Sequence, residues 1–81
     1  MTPEQYRAAI AKWGYTQQGF AVLVNSGAKS GQYWARVSVP DWVVTVLDLI
    51  ERRPEVRFVL EEMADEAGRE WRTKSAGRPR R

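Results

Sequence analysis

The sequence predicts a compact all-α protein of five helices, followed by a disordered basic tail. Apolar residues recur three and four positions apart in most segments before residue 72, which is helical spacing. Turn-forming residues interrupt this spacing at Gly14, at 25–27 and before Pro54. Residues 73–81 show no apolar periodicity, so we expect them to be disordered in isolation. At 81 residues, we expect a single domain.

The first predicted helix begins with a capping box. Thr2 can cap the first turn, Pro3 suits the first helical position, and Gln5 completes the box. Gly14 is the predicted stop. One face of this helix is apolar at i, i+3, i+4 and i+7, and we expect it to be core. Its members are Tyr6, Ala9, Ile10 and Trp13.

Helices two and three are predicted at about 16–24 and 27–35, joined by a tight turn. Thr16 is a good N-cap for helix two. Its apolar stripe consists of Phe20, Leu23 and Val24. The turn Asn25-Ser26-Gly27 contains residues that tolerate a positive φ. The polar segment after it ends in Trp34, which we expect to be a core anchor.

Helix four is predicted to begin at Pro40. A strand is the competing interpretation, because four valines fall between 39 and 46, but the helical spacing of its apolar face favours a helix. That face consists of Val43, Val46, Leu47 and Ile50. Three further apolar residues lie off it and suggest burial against a second subunit. These are Trp42, Val44 and Leu49.

Helix five is predicted to begin at Pro54 and to run for about 18 residues, roughly 27 Å. Its apolar stripe consists of Val56, Val59, Leu60, Met63, Ala67 and Trp71. The sequence thus divides into a core over 1–53, an amphipathic helix for packing or dimerisation over 54–72, and a basic tail over 73–81. From the surplus apolar surface we expect a homodimer through helices four and five.

Charge is segregated along the chain. Residues 1–40 carry a net charge of +3, residues 41–68 carry −5, and residues 69–81 carry +5. Two basic blocks around an acidic one suit a protein that binds a polyanion, with the acidic block facing away from it.

The composition also argues against catalytic and metal-binding chemistry. The chain has no His and no Cys, which removes the commonest nucleophile–base pairs and nearly all zinc sites. We interpret the carboxylates of helix five as a solvated face rather than as acid–base machinery. We therefore expect no enzyme activity, no metal and no cofactor. Without an 18-residue apolar run or a signal peptide, we expect no membrane partner and a cytoplasmic location.

The first 53 residues or so resemble the phage-repressor-like (XRE, Cro-like) helix-turn-helix family. The resemblance is carried by Thr16-Gln17, Ala21, Leu23, the 25–27 turn and Trp34, and it extends to Thr2-Pro3-Glu4, Val39-Pro40 and the helix over 47–50. It implies a five-helix, helix-turn-helix DNA-binding domain. It further implies a sequence-specific transcription regulator of phage or mobile-element type, such as a repressor, that reads a palindromic operator on double-stranded DNA as a homodimer.

In that family the third helix enters the major groove. Carried onto this sequence, the resemblance implies that Lys29, Gln32 and Tyr33 read base edges, with Lys29 suited to guanine and Gln32 to adenine. Ser26 and Ser30 are further candidate contacts to phosphates or bases, and Gln17, Gln18 and Arg36 are candidate contacts to the DNA backbone. For each residue the competing interpretation is an ordinary solvated side chain.

Two glycines depart from the family pattern. Gly19 replaces an acidic or polar helix former, and Gly31 replaces a branched apolar residue. Each lowers local helix stability by roughly 1 kcal/mol relative to Ala. The missing side chain at Gly31 lets its helix lie closer either to the DNA groove or to helix two.

The tail contains Gly77-Arg78-Pro79, which resembles the core of an AT-hook. In that interpretation Arg78 enters the minor groove, while Arg80 and Arg81 follow the phosphates. The competing interpretation is a tail that only adds electrostatic affinity. Two other function classes remain open. One is a protein-interaction module, such as a phage-encoded inhibitor or antitoxin, acting through acidic helix five. The other is a non-specific architectural DNA binder that relies on the tail.

Overall fold

Five α-helices make up the fold of residues 1–72, the part of the chain that this computed structural model describes. They are α1 (Pro3–Lys12), α2 (Gln17–Leu23), α3 (Ala28–Arg36), α4 (Asp41–Arg52) and α5 (Val56–Glu66). Residues 1–72 contain no strand, so the predicted all-α class is confirmed. None of these helices has both the length and the apolar character needed to cross a membrane. The expectations for 73–81 fall outside the described residues.

The helix starts follow the capping signals of the sequence. The Thr2 hydroxyl accepts a hydrogen bond from the Gln5 N–H at 3.1 Å, and the Gln5 side chain accepts one from the Thr2 N–H at 2.9 Å. The Thr16 hydroxyl accepts a bond from the Gly19 N–H at 2.9 Å. Both predicted N-caps are therefore confirmed, and each satisfies an N–H that has no partner inside its helix.

The helix ends at Gly14 and Asn25 share one geometry. Gly14 has φ +84° and Asn25 has φ +67°. In each case the next residue's N–H donates to a helix carbonyl five residues earlier, from Tyr15 to Ile10 at 3.0 Å and from Ser26 to Ala21 at 2.7 Å. This left-handed cap reverses the chain sharply, which is why the turn between α2 and α3 is so short.

An aromatic cluster joins the first three helices. The Tyr6 ring lies edge-on to both Phe20 and Trp34, with centroids 6.0 Å apart in each pair. Trp34 is buried and also meets the Trp42 ring at 5.5 Å. The predicted faces of α1 and α4 are confirmed as core, and their fully or nearly fully buried members are Tyr6, Ile10, Val43, Leu47 and Ile50.

The closest approach of α2 and α3 occurs at Gly31. A Cβ atom there would lie 2.0 Å from the Gln17 carbonyl oxygen and 3.1 Å from the Ala21 Cβ. No side chain fits in that space, because a backbone carbonyl cannot yield as a flexible side chain does. The missing side chain thus lets α3 lie closer to α2, which is one of the two interpretations that the sequence left open.

Helix five is shorter than predicted. The expected helix of about 18 residues ends at Glu66, because Gly68 adopts φ +75°. The Arg69 N–H donates to the Ala64 carbonyl at 2.9 Å, and the Gly68 N–H donates to the Asp65 carbonyl at 3.0 Å. This is the same left-handed cap that Gly14 forms, so the prediction of a continuous helix to residue 72 was wrong.

The buried face of α5 also differs from the predicted stripe. Ala64, which lies off that stripe, is fully buried, and Val56 and Leu60 pack against the core beside it. These three residues are four positions apart and form one row along the helix. Val59 and Met63, which were predicted to pack, are each 54% exposed.

Residues 67–72 fold back onto α2, and we call this segment the C-terminal strap. The Arg69 guanidinium donates to the carbonyls of Val22 at 3.0 Å and Leu23 at 3.3 Å. A Cβ atom on Gly19 would lie 2.6 Å from the Trp71 carbonyl oxygen. The strap therefore fixes both ends of α2, since it bonds the last carbonyls and lies against the first turn.

We expect Gly31→Ala to destabilise the protein by about 1–3 kcal/mol, because the added methyl overlaps the Gln17 carbonyl. Urea unfolding followed by circular dichroism measures this change. Gly27→Ser is the matched control, since nothing lies within 4 Å of a Cβ there. As the N-cap of α3, that serine should raise stability by about 0.3 kcal/mol, since glycine is only slightly poorer than serine at an N-cap. Equal stability of Gly31→Ala and the wild type would contradict the close packing.

Candidate nucleic-acid interface

One side of α3 is an exposed polar stripe. Lys29, Tyr33 and Arg36 are exposed and follow i, i+4, i+7 spacing, so their side chains share a face. Tyr33 is 53% exposed. The opposite side of the helix is buried and consists of Gly31, Trp34 and Ala35. A helix held on one face and polar on the other can present its side chains to a partner without losing core packing.

A groove runs beside α3, where α1, α2 and the loop between them meet. Gln17 and Gln18, from the first turn of α2, line this groove together with Gln32 of α3. All three side chains are half-buried. The structure thus brings together three amides that the sequence predicted at one site, although Gln32 is less exposed than predicted.

The two predicted serines lie where α3 begins. Ser26 sits in the α2–α3 turn and Ser30 in the first turn of α3, and both are half-buried. The Ser30 N–H donates to the Gly27 carbonyl at 3.0 Å, so backbone bonding fixes its position. Arg78 and Arg80, the remaining predicted contacts, lie outside the described residues.

This region is positively charged because a long segment of the sequence lacks acidic residues. Residues 5–40, from the first turn of α1 to the start of α4, contain no Asp and no Glu. Lys12 is bonded to Glu51 of α4 at 2.7 Å. Within residues 1–72, neither Lys29 nor Arg36 takes part in an ion pair. These two cations on α3 therefore keep their charge available to an anion.

Arg7 is a residue of this region that the sequence pattern did not predict. Its guanidinium donates to the carbonyl of Ala35, in the last turn of α3, and its side chain lines the groove beside Gln17. The bond joins residues 28 positions apart. The only available signal was a basic residue off the apolar face of α1, and that pattern does not distinguish Arg7 from an ordinary surface charge.

Two carboxylates of α5 have partners in the fold. Glu61 accepts a hydrogen bond from the Tyr15 hydroxyl at 2.6 Å. The pKa of Tyr15 is raised mainly because the hydroxyl is buried, and this hydrogen bond raises it further. Asp65 accepts two bonds from the Arg72 guanidinium, both at 2.9 Å, which hold the pKa of Asp65 below its usual range. These two side chains stabilise tertiary contacts rather than forming only a solvated face.

Residues 1–72 contain no group of three or more His, Cys, Asp or Glu side chains that could hold a metal ion. Comparison of the chain with protein-family models, with curated proteins and with solved structures finds no match.

Proposed function

We propose that the protein is a sequence-specific, double-stranded DNA-binding transcription regulator that inserts α3 into the major groove. The observation that carries the proposal is the exposed polar stripe of Lys29, Tyr33 and Arg36 on a helix whose other face is locked into the core. An α-helix fits the major groove, where each base pair presents a distinct pattern of donors and acceptors. The proposal includes no enzyme activity.

The side chains on α3 suit this role individually. Lys29 lies in the first turn and can donate to O6 and N7 of guanine. Gln32 lies one turn further on and can pair with N6 and N7 of adenine. Tyr33 adds an exposed ring and hydroxyl between Lys29 and Arg36. The proposal assigns Lys29, Gln32 and Tyr33 to base reading.

The residues around α3 suit contacts to the DNA backbone, which position a protein on the duplex without reading its sequence. Gln17 and Gln18 border the groove beside α3, and Ser26 and Ser30 lie at its beginning. Arg36, at the other end of α3, supplies a positive charge. A regulator of phage or mobile-element type would act where its DNA lies, so the proposal includes the cytoplasm.

The proposal predicts that DNA captured from a mixture of genomic fragments contains a palindromic motif. Sequencing the fragments retained by the purified full chain measures this. Diffuse AT-rich fragments would instead indicate an architectural DNA binder. Failure to retain any DNA would indicate the protein-interaction module, and either outcome contradicts the proposal.

Lys29→Ala and Gln32→Ala should each weaken binding to the captured motif by about 5- to 150-fold, equivalent to roughly 1–3 kcal/mol. Fluorescence anisotropy titrations at one salt concentration measure the affinity, and circular dichroism verifies that each variant folds. Arg52→Ala is the matched control, because it removes an exposed positive charge from α4 that is already paired with Asp48. Unchanged affinity in both α3 variants would exclude α3 as the reading helix.

We further propose that two copies of the chain associate through α4 and α5. A palindromic site has two equivalent half-sites, which a two-fold symmetric dimer matches. Both helices expose apolar side chains, with Trp42 and Leu49 one heptad apart on α4 and Val59 and Met63 on α5. Phe58 is the most exposed of the large apolar residues, at 59%. Val44, which the sequence also singled out, is half-buried.

Sedimentation equilibrium without DNA should give twice the chain mass of 9.3 kDa at micromolar concentration. Leu49→Glu and Met63→Glu should shift the protein toward the monomer, because each places a charge on an apolar surface outside the core. Ala8→Glu, at an exposed position on α1, is the control and should leave the dimer intact. A wild-type chain that sediments only as a monomer would refute the dimer.

A further inference from the structure

Arg7 combines an exposed position with a fixed orientation. It lies on α1 and is exposed, yet its guanidinium donates to the Ala35 carbonyl in the last turn of α3. That bond directs the side chain across from one helix to the other. An arginine held in this way loses less conformational freedom on binding a ligand than a freely rotating one.

The surroundings of Arg7 favour an anion. It shares a groove with Gln17, Gln18 and Gln32, and among the described residues that line this groove it is the one with a charge. Its guanidinium has five N–H donors, of which the bond to Ala35 uses one. The remaining donors form a planar fork that matches the oxygens of a phosphodiester. The neighbouring amides can donate to the same group.

Lys12 shows why position matters more here than charge. It lies on the same helix and carries the same charge, but it is bonded to Glu51 at 2.7 Å. An ion pair of that kind already neutralises the lysine. Within residues 1–72 Arg7 has no such carboxylate, since its partner is a neutral carbonyl.

We propose that Arg7 binds a backbone phosphate of the DNA from the groove beside α3, while its bond to the Ala35 carbonyl holds it in place. The inference rests on the proposed function, because it assumes that α3 lies in the major groove. It adds a phosphate contact from α1, a helix to which the sequence assigned only a core role. The contact is independent of base sequence.

The test compares Arg7→Gln with Lys12→Gln, which remove one positive charge each from the same helix. The affinity of the full chain for the captured motif, and for an unrelated duplex, is measured across a salt series. Losing one phosphate contact should make the slope of log affinity against log salt shallower by about 0.9. We expect this change in Arg7→Gln on both duplexes, and a smaller one in Lys12→Gln.

Arg7→Lys is the second variant, and it provides a test that remains valid if Arg7→Gln fails to fold. It keeps one charge but lacks the planar fork, so it should retain the wild-type salt slope while binding more weakly. Equal slopes for Arg7→Gln and Lys12→Gln, with wild-type affinity in Arg7→Lys, would overturn the inference but leave the proposed function intact. A wild-type chain that binds neither duplex would overturn both.

Discussion

The contact between Gly31 and the Gln17 carbonyl is the constraint on which the candidate interface depends. It leaves no space for a side chain, so α3 lies directly on the first turn of α2. Two consequences follow from this approach. Gln32 comes to share a groove with Gln17, and the other side of α3 turns outward. A bulkier residue would separate the helices, and both the groove and the angle of the exposed stripe would change with them.

The C-terminal strap explains the glycine at position 19 in a similar way. Gly19 is unfavourable in a helix when only local propensity is considered, by roughly 1 kcal/mol relative to Ala. The Trp71 carbonyl lies where its side chain would be, and the Trp71 ring packs on Tyr15 at 5.8 Å. Arg69 meanwhile bonds the carbonyls at the other end of α2. A seven-residue helix is marginal in isolation, so contacts of this kind must stabilise it.

The sequence predicted the parts of this fold that local chemistry determines. The caps at Thr2 and Thr16 and the stop at Gly14 depend on neighbouring residues, and all three are confirmed. Helix five was overextended because Trp71 continues the apolar spacing beyond Gly68, although that tryptophan packs from a non-helical strap. In the candidate site, the role of Arg7 was missed. Its bond spans 28 residues, and no periodic pattern encodes such a contact.

The distribution of charge around the molecule also depends on tertiary contacts. Each of the three ion pairs in residues 1–72 takes its carboxylate from α4 or α5, namely from Asp48, Glu51 and Asp65. Exposed pairs like these contribute little to stability, typically up to about 1 kcal/mol. They also affect the field around the molecule, because they pair cations on α1, α4 and the strap with carboxylates, whereas Lys29, Arg36 and Arg7 take part in no ion pair within residues 1–72. Because residues 5–40 contribute no carboxylate, the positive charges of Lys29 and Arg36 remain unpaired on the helix that is proposed to enter the groove.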